Sequence, residues 1–173
     1  MMEVANRTVS VRLAELGDVA AVTAIESVSF SDPWSREAFE SSLALSHIRF
    51  FVAETADGES DSASRASSRG ESGEVVLLGY VVALVLGDEG EIADLAVAPA
   101  ARRRGVGAML LDRVTVEAGY LGLRSLYLEV RESNVAARVL YESRDFLPVG
   151  RRRAYYRNPT EDALLLRRDL GST

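Results

Sequence analysis

The chain has no cysteine, no lysine and a single histidine, His47. Without cysteine there can be no disulfide, no thiolate metal site and no cysteine nucleophile. One histidine removes histidine-ligated zinc and leaves a serine–histidine–aspartate triad without support, so no metal is expected. The lack of lysine closes a further option: a nucleotide phosphate loop needs Gly-x-x-x-x-Gly-Lys, which this chain cannot supply. No apolar run approaches the roughly 20 residues of a membrane span, and the first residues lack the basic-then-apolar pattern of a secretory leader. A cytoplasmic protein with no membrane partner is therefore expected. Positive charge is outnumbered: 20 arginines stand against 26 Asp and Glu, a net charge of −6. That balance argues against a nucleic-acid binder and suits a basic partner.

What is present is ordinary for a folded domain: 173 residues, 47% of them hydrophobic. This is enough for one core and short for two, so a single domain over 1–173 is expected, as a monomer. Residues 8–13 alternate as a strand, while 17–28 and 36–45 carry helical spacing, the latter behind Pro33 with Ser35 as N-cap. Residues 48–53 and 75–86 are β-rich and pair most simply with each other. Between them, 55–74 is rich in Ser, Gly and Glu and has nothing larger and apolar than alanine. A segment of that composition cannot bury enough surface to offset its ordering entropy, and a disordered insertion is expected. The order then runs strand (91–99), loop, helix (106–120), strand (123–131), helix (133–146) and two terminal strands near 149–156 and 162–170. The pattern predicts an α/β (α+β) protein with a mixed sheet covered by helices.

The loop ARRRGVGA, residues 101–108, opens a helix behind Gly105 and Gly107. Unpaired amides at a helix start, with the positive end of its dipole, favour an anion, and glycine lets one approach closely. A dinucleotide loop fits poorly, because Leu110 occupies the third glycine position and six residues separate Ala98 from Gly105. A basic turn that merely opens a helix, and a diphosphate cradle of the pattern Arg-x-x-Gly-x-Gly, both remain.

Four stretches occur in order: IESVSFSDPWS (25–35), DLAVAPAARRRGVG (94–107), LEVRESNVAARVLYES (128–143) and RAYY (153–156). Together they resemble the GNAT family of N-acetyltransferases, and within it the RimI-like branch that acetylates the N-terminal alanine of a small-subunit ribosomal protein. The resemblance implies a GNAT fold: a mixed, mostly antiparallel central sheet with a splayed parallel pair, flanked by helices. It implies acetyl-CoA as cofactor, leaving as coenzyme A. The pantetheine arm would pair with Leu95, Ala96 and Val97. The diphosphate would meet the amides of Arg103, Arg104, Gly105, Val106, Gly107 and Ala108, with charge added by Arg102, Arg103 and Arg104. Glu129 would be the general base and Tyr141 the general acid at the cofactor sulfur. Asn134 would bond the cofactor, and Phe30, Trp34, Tyr155 and Tyr156 would wall the acceptor pocket.

Each residue also has a plainer role. Glu129 can be a strand-end carboxylate, Tyr141 a half-buried core tyrosine, Asn134 a helix cap in competition with Ser133, and the four aromatics core packing. The implied activity is transfer to the N-terminus of a basic ribosomal protein. A small amine or an internal lysine as acceptor, and a non-catalytic acyl-CoA-binding module, are the alternatives. Two positions depart from the branch's pattern. Asp94 stands where asparagine is usual and places extra negative charge beside the acyl site. Asp145 stands for glycine at a helix end, where aspartate tolerates a left-handed backbone.

Overall fold

A computed structural model of the protein describes residues 8–56 and 75–171. Seven strands form one sheet in the order β1-β2-β3-β4-β5-β7-β6. The strands are β1 (Thr8–Leu13), β2 (Ile48–Ala56), β3 (Leu77–Leu86), β4 (Glu89–Val97), β5 (Ser125–Arg131), β6 (Leu147–Tyr156) and β7 (Glu161–Asp169). Every pairing is antiparallel except β4 with β5.

Helices cover both faces, and two apolar layers result. On one face α3 (Val106–Tyr120) and α4 (Val135–Glu142) pack over Phe51, Val81, Leu126 and Leu128. On the other, α1 (Val19–Ser29) and α2 (Arg36–Leu43) pack over Phe50, Val52, Tyr80 and Val82. The alternation of strand side chains explains the split, since neighbours along a strand point to opposite layers. Phe39 of α2 is fully buried and meets Trp34, Phe50 and Tyr80 at ring-centroid distances of 5.5, 5.9 and 5.4 Å.

The parallel pair is short. Register runs from Glu89↔Ser125 to Ile92↔Leu128 and goes no further. Beyond that point β4 continues against β3 as far as Gly79↔Val97, and β5 continues against β7 as far as Arg131↔Ala163. The two strands therefore diverge, leaving a seam between residues 94–97 and 129–131. A bulge accompanies the divergence: Val82 faces Asp94 and Ala83 faces Ile92, so Ala93 is extra. Such an insertion bends a strand and re-aims the side chain that follows it.

Among the boundaries that differ from the sequence reading, three have a plain physical reason. Strand β2 runs through Ala56, with Thr55 paired to Val9 and its amide donating to the Val76 carbonyl at 3.0 Å. The expected disordered insertion thus loses residues 55 and 56 to a strand, and its remainder, 57–74, lies outside the described residues. Strand β4 begins at Glu89 rather than 91, because Gly87 at φ +67° and Asp88 form a tight hairpin turn from β3. Helix α4 ends at Glu142, four residues early. Asp145 takes φ +63° and the Phe146 amide returns to the Tyr141 carbonyl, so the backbone turns left-handed at the place where glycine was replaced.

Candidate active site

The helix behind the arginine loop begins with open amides. Arg102 donates its amide to Pro99, Met109 donates to Gly105, and among the described residues no main-chain acceptor takes the six amides between them. Gly105 holds φ +81°, with nothing within 4 Å of where a Cβ would stand. An added Cβ on Gly107 would sit 3.1 Å from the Leu140 side chain and 3.6 Å from Val97. Gly105 thus leaves the left-handed helix start open, and Gly107 lets the first turn of α3 lie close to α4 and the end of β4. A diphosphate fits this cradle, with the helix dipole aligned to favour it.

The arginines divide. Arg102 turns back, its Nε donating to the Val97 carbonyl at 3.0 Å and its guanidinium reaching Ser29 Oγ at 3.3 Å. It pins the loop to the end of β4 and to α1. Arg103, at φ +60°, and Arg104 are exposed and form no ion pair among the described residues. They remain available to an anion. Asn134 is the N-cap of α4, its side-chain oxygen accepting from the Ala137 amide at 3.1 Å. Ser133 does not share that role, since its amide and hydroxyl both donate to Glu161.

The two reactive candidates belong to opposite layers of the sheet. On β5, Leu128 and Val130 face α3 and α4, so Glu129 faces the α1 side. Its carboxylate meets Arg152 Nε at 2.5 Å, and Glu129 raises the phenol of Tyr155 above its ordinary value. Tyr141 approaches from α4, buried against Phe146 at 6.1 Å between rings. Burial raises its phenol above the ordinary value, and the fields of Asp94 and Tyr156 add to the rise. A phenol held protonated in this way is a donor rather than a base. That Asp94 and Tyr156, both of the other layer, act on Tyr141 follows from the opening between β4 and β5.

The aromatic walls separate in the same manner. Trp34 belongs to the α1–α2 layer through Phe39, whereas Phe30 is 37% exposed. Tyr155 and Tyr156 meet edge to face at 5.1 Å on β6, and burial followed by Glu129 pushes the Tyr156 phenol up to about 12. Arg131 joins these regions, stacking on the Tyr156 ring at 4.3 Å and donating to Ser31 at 3.2 Å. Next to Glu129 lies a cleft of about 220 Å³ whose lining includes Glu89, Glu91, Tyr127 and Arg152. Three carboxylates, Glu89, Glu91 and Glu129, line it against the one guanidinium of Arg152, so its charge is negative.

Sequence reasoning missed the cluster beneath the seam. Glu26 is 1% exposed; it accepts the Trp34 amide at 2.7 Å and a short hydrogen bond from Tyr80. The Tyr80 hydroxyl also lies 3.1 Å from Asp94. A glutamate on the buried stripe Val19, Val22, Ile25 was the available signal, because a charge on an apolar helix face needs a partner. Arg152 was missed too.

The family model for the Acetyltransferase (GNAT) family matches residues 19–146. The chain belongs to the GNAT acetyltransferase family. It is 31% identical over 156 residues to the [ribosomal protein bS18]-alanine N-acetyltransferase of Escherichia coli, covering 88% of this chain and 91% of that protein. It is 35% identical over 144 residues to the N-alpha-acetyltransferase RimI of Mycobacterium tuberculosis, covering 81% and 78%. In solved structures, the ribosomal-protein-S18-alanine N-acetyltransferase from Escherichia coli superposes with a TM-score of 0.77 at 27% identity, covering 96% of both chains. Arabidopsis thaliana NAA60, solved in complex with acetyl-CoA, superposes with a TM-score of 0.78 at 20% identity over 95% of this chain and 100% of that one. The seven-stranded mixed sheet with its opened parallel pair is thus a GNAT fold, and the protein is an acetyltransferase.

Proposed function

We propose that this GNAT enzyme transfers the acetyl group of acetyl-CoA to the N-terminal α-amino group of a protein, the acceptor being the N-terminal alanine of a basic small-subunit ribosomal protein. One observation supports this reading: β4 and β5 part after Ile92↔Leu128, which leaves Glu129 at the opening, and the uncovered amides of residues 103–108 follow the end of β4, to which Arg102 is bonded. Acetyl-CoA, when bound, supplies an activated thioester. The amides of residues 103–108 would hold its diphosphate, Arg103 and Arg104 would add charge, and Leu95, Ala96 and Val97 would pair with its pantetheine arm through the strand edge that β5 leaves free. Asn134 contributes by starting α4 and so aiming Tyr141.

Glu129 draws the proton from the incoming amine, through water, at the carboxylate oxygen not held by Arg152. Tyr141 gives its hydroxyl proton to the departing sulfur. An α-amino group, of pKa about 8, is far more often neutral at pH 7 than a lysine at about 10.4, so little base strength is needed for a protein N-terminus. Phe30, Trp34, Tyr155 and Tyr156 border the acceptor's path, and the acidic cleft favours a cationic tail. The bS18-alanine acceptor named for the relatives supports the same choice. The enzyme is proposed to work as a single-domain cytoplasmic monomer, with no metal, nucleic acid or membrane.

Calorimetry with coenzyme A, followed by acetylation of an Ala-Arg peptide, tests the proposal. Binding of the cofactor and preference for this peptide over an N-terminally blocked lysine peptide and over a small amine are expected. Preference for either alternative acceptor overturns the assignment of the substrate, and absence of binding overturns the cradle.

A further inference from the structure

Glu26, Tyr80 and Asp94 form a buried cluster in which hydrogens must be counted. The Tyr80 hydroxyl touches Glu26 Oε2 and, at 3.1 Å, Asp94 Oδ2. A phenol has one proton and can donate to one of them. The other contact needs a proton on a carboxyl group. Glu26 already accepts from Tyr80 and from the Trp34 amide, which leaves Asp94 as the protonated member.

Of the three, Asp94 alone has an outlet: Tyr80 and Glu26 are 0% and 1% exposed, Asp94 is 9% exposed. It follows the extra residue Ala93 where β4 leaves β5, on the seam and on the layer of the acceptor aromatics. The groups facing it are Glu26 from α1, Tyr80 from β3 and Tyr141 from α4, and it forms no ion pair with an arginine among the described residues.

We infer that Asp94, backed by Tyr80 and Glu26, is a second proton acceptor for the attacking amine in this enzyme. The inference rests on the proposed acetyl transfer. The ammonium nitrogen loses two protons on the way to the amide: one passes to Asp94 Oδ2 and frees the lone pair that forms the C–N bond, the second passes through water to Glu129 as the C–S bond breaks, and the sulfur leaves with the proton of Tyr141, whose phenolate is reprotonated from solvent. Accepting the first proton lets Asp94 donate to the Tyr80 oxygen while Tyr80 donates to Glu26, and removes the repulsion of Asp94 from Glu26. Burial, with Glu26 nearby, raises the Asp94 carboxyl well above the ordinary carboxylate range. An ordinary carboxylate, at about 4, lies far below an α-ammonium group at about 8 and accepts its proton uphill; a raised one is better matched.

The test compares the pH dependence of kcat in wild type, Asp94→Asn, Glu26→Gln and Glu129→Gln, with coenzyme A affinity measured for each. Asparagine keeps the shape and a hydrogen bond to Tyr80, so the fold is retained. Expected are a wild-type rise through an ionisation near pH 7, loss of that rise with at least a tenfold lower kcat in Asp94→Asn, and a shift to lower pH in Glu26→Gln. Coenzyme A affinity should be unchanged in both. A profile of Asp94→Asn that overlays the wild type, or loss of the rise in Glu129→Gln alone, overturns the inference. Carbon NMR of the cofactor-free protein reads the Asp94 carboxyl independently of turnover, and titration in the ordinary carboxylate range also overturns it. Failure of the cofactor to bind wild-type protein instead marks failure of the acetyl-transfer reading.

Discussion

Glu129 and Tyr141 differ in how tightly their surroundings define them. Tyr141 is enclosed by α4 and Phe146, so Tyr141→Phe keeps the packing and removes only the donor. Its kcat for peptide acetylation is expected to fall by about a hundredfold or more with coenzyme A affinity retained, as general-acid contributions of that size imply. Glu129→Gln should give a loss of similar order, checked in the same assay. Asp94 allows a prediction about stability. Its raised carboxyl binds a proton in the folded protein that the unfolded chain has released at the same pH. That contribution is complete at low pH and is lost as pH rises through the folded value. Asp94→Asn should therefore stabilise the protein by ~1–3 kcal/mol at about pH 8 and hardly at all at about pH 4, read as a widening difference in Tm. The glycines were legible in the loop pattern itself, because they act from fixed places at a helix start, whereas Glu129 and Tyr141 were singled out by the family resemblance. Glu26 and Tyr80 were illegible, being 54 positions apart and joined only through the fold.

At the scale of elements, the start of α3 is the part most sensitive to side-chain volume. Gly107→Val would drive branched methyls toward Leu140 and over the amides, so coenzyme A affinity should drop at least tenfold by calorimetry. Gly105→Ala meets open space but must hold φ +81°, which costs ~1 kcal/mol, and a lower Tm with a smaller loss of affinity is expected. Strand and helix identities were readable from alternation and helical spacing, since each depends on which face is buried. The bulge at Ala93 was not. Nothing in DLAV marks an extra residue, and it exists because β3 and β5 hold the two ends of β4 in different registers.

For the whole molecule, the ends of the segment 57–74 are already joined by sheet pairing. Thr55 and Val76 share two hydrogen bonds, main chain at 3.0 Å and Thr55 Oγ1 with the Val76 amide at 3.1 Å. Replacing 57–74 by a short Asn-Gly turn should leave Tm, coenzyme A affinity and peptide acetylation unchanged, and heating should still give one cooperative transition. Two transitions would overturn the proposed single domain.

The sequence alone determined the sheet's strands, the glycine-opened helix start and the absence of metal-binding thiols and lysine chemistry, because these depend on residue type and local periodicity. Tertiary structure alone decided that β4 and β5 part after Leu128, that Tyr80 bonds both Glu26 and Asp94, and that Arg152 holds Glu129. Those outcomes depend on strand register and on charges brought together from distant segments, which no local pattern encodes.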